Sequence, residues 1–342
     1  MMQADFKKNT FKFKTPIRTS RGVLTKKVSW FLILSKGGKI GIGECNILKG
    51  LSYDDHPDFE NTLSMLCDQI TKGENLLDLT PWPAIKMGYE MALLSLKGSN
   101  PYELFPSYFT NGSASIPING LVWMGSYDFM KQQIDTLLSR GFDCIKIKIG
   151  ALNFEEELKL IGQLRARYDA QTISIRVDAN GAFSKREALS KLKQLSIYKL
   201  HSIEQPIATK QWADMADLCK NTSIPIALDE ELIGVFSKEL QIQILDQICP
   251  QYLILKPSLL GGFSVTEQWL SLANDKGIDW WITSALESNV GLNAIAQWTF
   301  TKNVSLPQGL GTGSLFTNNI EAPLVIKKGC LWIDNLISWE EI

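Results

Sequence analysis

Six side chains carry the chemistry legible in this 342-residue sequence: Lys146, Lys148, Asp178, Glu204, Asp229 and Lys256. Lys146 and Lys148 stand two apart in Cys144-Ile-Lys146-Ile-Lys148-Ile-Gly150. On a strand that spacing sends both ammonium groups to one face and Ile145, Ile147 and Ile149 to the other. Asp178 opens Asp178-Ala-Asn180-Gly181, Glu204 opens Glu204-Gln-Pro206, Asp229 precedes Glu230, and Lys256 precedes Pro257. Three carboxylates brought together without partners repel strongly in a low-dielectric mouth. A hard divalent cation relieves that repulsion, and an all-oxygen set suits Mg²⁺ or Mn²⁺. Lysines flanking a cation-held carboxylate suit removal of the proton on the adjacent carbon, because the cation stabilises the charge that develops. A lysine base must be neutral, and its ordinary pKa of about 10.4 is too high. The cation and the neighbouring Lys146 are both expected to disfavour the charged form of Lys148.

The elements needed to gather these groups are also legible. From about residue 116, short apolar runs alternate with amphipathic stretches. The runs end near Met124, Lys148, Asp178, Glu204, Asp229, Lys256 and Ser284, and from Lys148 onward the ends fall 25–30 residues apart. That is the length of a βα unit repeated around a parallel barrel, where chemistry sits at the C-terminal strand ends. Phe154, Leu158, Ile161 and Leu164 line one helical face, and Ser184-Lys-Arg-Glu187 and Ser264-Val-Thr-Glu267 read as capping boxes. Any one strand-end acid reads more simply as a helix cap, and a lysine pair as a solvated face. Six such residues on consecutive ends favour a site. A doubly wound open sheet is the alternative, but no Gly-x-Gly-x-x-Gly follows the first strand.

The first hundred residues differ. Phe11-Lys-Phe-Lys14 alternates as a strand does, and Ser29 to Ser35 is a mostly apolar strand. Lys36-Gly37-Gly38 turns the chain into a second strand, Ile40 to Glu44. Phe59, Leu63, Leu66 and Ile70 then recur at helical spacing, as do Tyr89, Ala92, Leu93 and Leu96 before Gly98. We expect an α+β capping domain over residues 1–110, a barrel over 111–314 and a C-terminal segment over 315–342. A hairpin turning at Lys328-Gly329 is expected to pack that segment back on the capping domain.

Bulk composition excludes little beyond this. Lys+Arg is 35 and Asp+Glu is 36, a balance that argues against nucleic acid or a membrane surface as partner. A small-molecule carboxylate is the expected partner; oligomeric state is not legible. No apolar run of about 18 residues reads as a transmembrane helix. The start, MMQADFKKNTFKFK, lacks the apolar region of a signal peptide. The six cysteines are scattered without Cys-x-x-Cys, so buried reduced thiols in a cytoplasmic protein are expected.

The order Lys-x-Lys, Asp-Ala-Asn-Gly, Glu-Gln-Pro, Asp-Glu and Lys-Pro resembles the enolase superfamily, specifically its muconate-lactonizing subgroup, over essentially the whole chain. The resemblance implies an α/β fold, a modified TIM barrel of (β/α)₇β form with an N-terminal α+β capping domain. It implies Mg²⁺ (or Mn²⁺) on Asp178, Glu204 and Asp229, with Lys148 and Lys256 as the opposed catalytic lysines. Thr19-Ser-Arg-Gly-Val-Leu24, Ser284-Ala-Leu-Glu-Ser288 and Pro307-Gln-Gly-Leu-Gly-Thr-Gly313 further resemble the subgroup's hydro-lyase of menaquinone biosynthesis. In that reading Lys148 takes the α-proton and returns it to a departing hydroxyl on the same face. Lys256 lends its cation, and Lys146 tunes Lys148 and touches the substrate carboxylate. Ser284, Arg21 and Asn180 are the candidate substrate contacts, and the loop Leu51-Ser-Tyr-Asp-Asp-His56 is a candidate lid. His56 reads as a loop residue, and His201 as structural, since hard metals prefer oxygen.

Two opposed lysines also permit a racemase of N-succinylamino acids, a dipeptide epimerase or a cycloisomerase. The subgroup's epimerases carry an Asp-x-Asp near the last strand, where this chain reads Gly309-Leu-Gly-Thr-Gly313. A Schiff-base aldolase barrel would use Lys148 or Lys256 as nucleophile but needs no converging acids. A catalytically dead binding barrel would have no need of the complete set.

Overall fold

The computed structural model describes residues 1–19 and 22–342; Arg21 lies outside the described residues. Strands β1 (Gln3–Thr19), β2 (Gly22–Lys36) and β3 (Lys39–Asn46) form an antiparallel sheet in that order. Gly37 and Gly38 turn β2 into β3 at φ 58° and 78°, which glycine adopts without strain. Helix α1 (Phe59–Lys72) buries Phe59, Leu63, Leu66 and Ile70, and helix α2 (Pro83–Lys97) buries Ala84, Ile85 and Ala92, in one cluster with Leu32 and Leu34 of β2. Where α2 crosses β3 the two backbones nearly touch. A Cβ on Gly43 would lie 1.8 Å from the carbonyl oxygen of Gly88, so no side chain fits there. Asp54 holds the start of α2 by accepting the Ala84 N–H at 2.8 Å.

After β4 (Ile116–Pro117) the chain enters a parallel sheet that curls. Its strands run β5 (Gly120–Val122), β6 (Cys144–Lys148), β7 (Ser174–Asp178), β8 (Ser202–Glu204), β9 (Ile226–Leu228), β10 (Tyr252–Leu255) and β11 (Asp279–Ile282) in sequence order. Between them lie α3 (Tyr127–Ser139), α4 (Phe154–Arg167), α5 (Ala188–Ser196), α6 (Trp212–Asn221), α7 (Lys238–Ile248), α8 (Pro257–Leu260) and α9 (Gly262–Asp275). Helix α10 (Asn289–Phe300) follows β11. Gln308 and Gly309 close the ring as a minimal eighth strand. Gly309 N–H donates to Ile282 O at 2.8 Å, and Asn119 N–H donates to Gln308 O at 2.9 Å. The result is an α/β fold, a (β/α)₇β barrel with an antiparallel capping domain. One hydrophobic core runs through both parts, from Phe11, Phe31 and Met87 to Ile147, Leu253 and Ala294. No described helix is long and apolar enough to cross a membrane.

Four sequence expectations change. Ser264 and Glu267 form no capping box, because α9 starts two residues earlier. The Ser264 N–H donates to Glu90 of α2 at 3.1 Å, and Glu267 accepts the Trp298 indole N–H at 2.9 Å. Glu187 does accept the Ser184 N–H at 3.3 Å, but in the turn before α5. The C-terminal hairpin, β12 (Leu324–Lys327) and β13 (Cys330–Ile333), turns at Lys328 and Gly329 yet pairs with β4. The stretch before it is what reaches the capping sheet: Thr317 N–H donates to Lys12 O at 2.8 Å, and Phe316 packs on Phe11 and Phe13. Cys45, Cys67 and Cys144 are buried free thiols, but Cys249 is exposed, at the left-handed C-terminus of α7.

Candidate active site

Strand alternation supplies the first half of the site. Ile145 and Ile147 are fully buried in the core. Lys146 and Lys148 take the opposite face of β6, inside the barrel. Register sets Lys148 beside Asp178, and Asp178 beside Glu204. Asp229 and Lys256 follow directly after β9 and β10. Lys148 Nζ lies 2.9 Å from Asp178 Oδ2, and Lys146 Nζ bridges Asp178 Oδ2, at 3.0 Å, and Glu204. Lys256 pairs with Asp229. The three acids thus form a row on adjacent strand ends, with Lys148 at one flank and Lys256 at the other.

Among the described residues, no three Asp, Glu, His or Cys side chains stand at the mutual spacing of a metal cluster. The ammonium of Lys146 separates Asp178 from Glu204, as mutual repulsion of carboxylates favours. Burial disfavours the Lys146 ammonium, but Asp178, Glu204 and Asp229 together outweigh it and hold the group well above the ordinary lysine range. The same balance raises Lys256, through Asp229 first. The acids on their own therefore keep these two amines charged. Asp178 is driven the other way: burial opposes its charge, yet Lys146 and Lys148 hold it well below the usual carboxylate range. Burial and then Asp178 push Glu204 well up.

The residues around these six fix them in place. Asn180 sits at φ 44°, a backbone conformation Asn tolerates better than most residues. Its Oδ1 accepts from Lys148 Nζ at 2.8 Å and its Nδ2 donates to Glu230 Oε1 at 2.9 Å. Asn180 thus links Glu230 to Lys148. Gln205, at φ 39°, donates from Nε2 to Glu231 Oε2 at 3.1 Å and accepts the N–H of Asp229 at 3.3 Å. The Glu-Gln-Pro motif therefore clamps the neighbouring strand end that carries Asp229. Glu157 accepts the N–H groups of Gly150, Ala151 and Leu152 and fastens the loop beyond Lys148.

A cavity of about 270 Å³ opens above this row. Lys146, Lys148, Asp178, Asn180, Glu230 and Lys256 form its polar floor. Glu204 and Asp229 do not line it, but the ammonium groups they hold do. Ser284 and Thr312 form one wall, joined by a 2.6 Å hydroxyl–hydroxyl hydrogen bond. Leu24, Leu48 and Leu51 of the capping domain close it from above. Of the candidate lid, Leu51 reaches the cavity, whereas His56 is exposed beside Asp58 and Trp82. His201 lies just before β8 against Tyr252, its pKa lowered to about 4 by burial and then by Arg176.

Several groups at this site carried no assignment from sequence. Glu230 was visible only as the neighbour of Asp229. Arg176, buried within β7 with its guanidinium 3.9 Å from the Trp281 ring centroid, reads in sequence as an ordinary alternating strand residue. Leu24 and Thr312 were visible only as members of motifs, with no role assigned, and Leu48 gives no signal at all.

Comparison with known proteins follows the geometry. Residues 130–336 match the family described as enolase C-terminal domain-like. The chain is 44% identical to an o-succinylbenzoate synthase of Desulfotalea psychrophila, over 97% of this chain and 99% of the relative. The crystal structure of MenC from Desulfotalea psychrophila superposes with a TM-score of 0.88 at 41% identity, covering 97% of this chain and 99% of that one. A dipeptide epimerase from Cytophaga hutchinsonii, solved with Mg and the dipeptide D-Ala-L-Val, shares the fold at a TM-score of 0.82 and 20% identity, covering 97% and 93% of the two chains. A curled parallel barrel with lysines and acids on its strand ends, an antiparallel cap and these matches lead to one assignment: the chain belongs to the enolase superfamily.

Proposed function

We propose that this chain is an o-succinylbenzoate synthase, a cytoplasmic hydro-lyase of menaquinone biosynthesis. It would dehydrate 2-succinyl-6-hydroxy-2,4-cyclohexadiene-1-carboxylate to 2-succinylbenzoate. The observation that carries the reading is the pair Lys148 and Lys256, set on opposite flanks of the Asp178–Glu204–Asp229 row at the floor of one cavity. Identity of 44% over nearly the full length of both chains favours this activity over the epimerases.

The donor set fits a hard divalent cation, Mg²⁺ or Mn²⁺. Four carboxylates (Asp178, Glu204, Asp229 and Glu230) meet three ammonium groups, and Glu204 Oε1 is buried without a hydrogen-bond donor. Asp178, Glu204 and Asp229 would hold the cation, which when bound supplies the charge that makes the carbon beside the substrate carboxylate acidic. Lys148 takes that α-proton on Nζ, held in place by Asn180. Its new ammonium returns the proton to the departing 6-hydroxyl on the same face. A C–H and a C–O bond break, water leaves, and the ring becomes aromatic. Lys256 moves no proton and offsets negative charge on the carboxylate oxygens from the far side. Lys146, held by Asp178 and Glu204, would contact the carboxylate. Ser284 would meet the succinyl arm.

The test is an assay of the purified chain with Mg²⁺ on the cyclohexadiene substrate, run beside N-succinylamino acids and dipeptides. Formation of 2-succinylbenzoate as the fastest reaction is expected. Turnover of the amino-acid derivatives alone would overturn the reading in favour of a racemase or epimerase.

A further inference from the structure

One cavity wall is held in an unusual shape by groups that never reach the cavity. Leu286 lines the cavity at φ 60°, a left-handed conformation that a side chain such as leucine rarely adopts. Such a backbone persists where its surroundings over-determine it. Here the surroundings are polar and deeply buried. Glu287 folds back so that its Oε2 accepts the Ala285 N–H at 2.6 Å, and its Oε1 accepts from Ser258 Oγ at 2.6 Å. Asn46, the last residue of β3 in the capping domain, donates from Nδ2 to the Ala285 carbonyl at 2.8 Å and to Glu287 Oε1 at 3.2 Å. Its Oδ1 accepts from Lys27 of β2. Asn46, Glu287 and Ser258 are each no more than 1% exposed. Both the N–H and the C=O of Ala285 are thereby pinned, one from the barrel and one from the cap.

We propose that Asn46 and Glu287 are positioning residues: they hold residues 284–286 in the strained shape that the substrate's side arm meets. The capping domain thus shapes the pocket from below its rim, in addition to covering it with Leu24, Leu48 and Leu51. This rests on reading the cavity as the substrate site. A buried pinning network acts on binding and leaves Lys148, Lys256 and the acids untouched. Its loss should therefore appear in KM and not in kcat.

The experiment pairs Asn46→Ala with the near-isosteric Glu287→Gln, which covers the case of an alanine variant that does not fold. Steady-state kinetics should show KM for the cyclohexadiene substrate raised about tenfold with kcat changed less than about threefold. Hydrogen exchange should show faster exchange at Ala285 and Leu286, with β7 to β9 unchanged. Unaltered exchange at these amides in a folded variant, or a fall in kcat at constant KM, overturns the proposal. If the wild type does not turn over the cyclohexadiene, the activity assignment fails, and amide exchange alone still decides whether the network holds the wall.

Discussion

At the scale of single residues, Lys148 and Asp229 make separable predictions. Lys148 contributes an amine and no ligand oxygen. Lys148→Ala should lower kcat at least about 10³-fold while calorimetry shows Mg²⁺ binding retained. Normal turnover by that variant would remove the proposed base. Asp229→Asn should instead weaken Mg²⁺ binding about 10- to 100-fold, with part of the activity restored at high Mg²⁺. Unchanged cation affinity would take Asp229 out of the ligand set. The lysine pair and the row of acids were legible because both are fixed by strand alternation and by a repeat of 25–30 residues. Glu230 was not, and the reason is geometric. Alternation would send it to the face opposite Asp229, but the chain leaves the strand at Asp229, φ −127° and ψ −82°, and turns into a short 3₁₀ helix, Glu230–Leu232. Glu230 then lines the cavity, while Asp229 pairs with Lys256. Asn180 and Gln205 were visible as motif letters, but their positive φ values are set by the loop and by the partners they bind.

At the scale of elements, legibility followed length and periodicity. The strand ends carrying Lys148, Asp178 and Glu204 fall where the apolar runs predict them. The eighth strand is two residues of bridge pairing, too short for any periodicity, and β4 is no longer. Ser264 and Glu267 match a capping pattern but answer to partners on other helices, which local sequence does not contain. The start of α2 gives a pH-dependent prediction. Burial raises the Asp54 carboxyl from 3.8 to about 7, against the opposing hydrogen bond from Ala84. Its Oδ1 is buried without a hydrogen-bond partner. Between pH 4 and 7 the fold retains a proton that the unfolded chain releases, so this group costs stability increasingly as pH rises and most above pH 7. Asp54→Asn keeps an acceptor for the Ala84 N–H and cannot ionise. Relative to wild type it should gain about 2–4 kcal/mol in unfolding free energy between pH 4 and pH 8. Parallel pH dependence of the two proteins in denaturant melts would show that Asp54 ionises freely in the fold.

At the scale of the whole molecule, the capping sheet and the barrel are joined by charge as well as by apolar packing. Lys27 and Glu44 lie 3.5 Å apart, 5% and 0% exposed. Glu44, from β3, accepts the Ser288 N–H at 3.0 Å, the Ser288 hydroxyl at 2.6 Å and the Gly291 N–H at 3.0 Å. A carboxylate of the cap thus satisfies the N-terminus of barrel helix α10, where the helix dipole favours negative charge. Lys27→Met removes the ammonium and leaves Glu44 buried with those donors and the Ser29 hydroxyl, but with no paired cation. Removing one partner of a buried pair costs about 3–5 kcal/mol. The larger hydrophobic core runs unbroken from Phe11 and Met87 into the barrel strands and ties the cap to the barrel, beside a second cluster within the cap around Leu32, Leu63 and Ile85. The whole chain should therefore lose stability together. Far-UV dichroism and tryptophan emission, reporting from Trp30 in the cap and Trp269, Trp281 and Trp298 in the barrel, should follow one shared transition in wild type and in Lys27→Met, displaced to lower denaturant in the variant. A variant melt that splits in two, with the barrel signal left at its original midpoint, would mean that the cap unfolds alone and that the Lys27–Glu44 pair stabilises only its own domain.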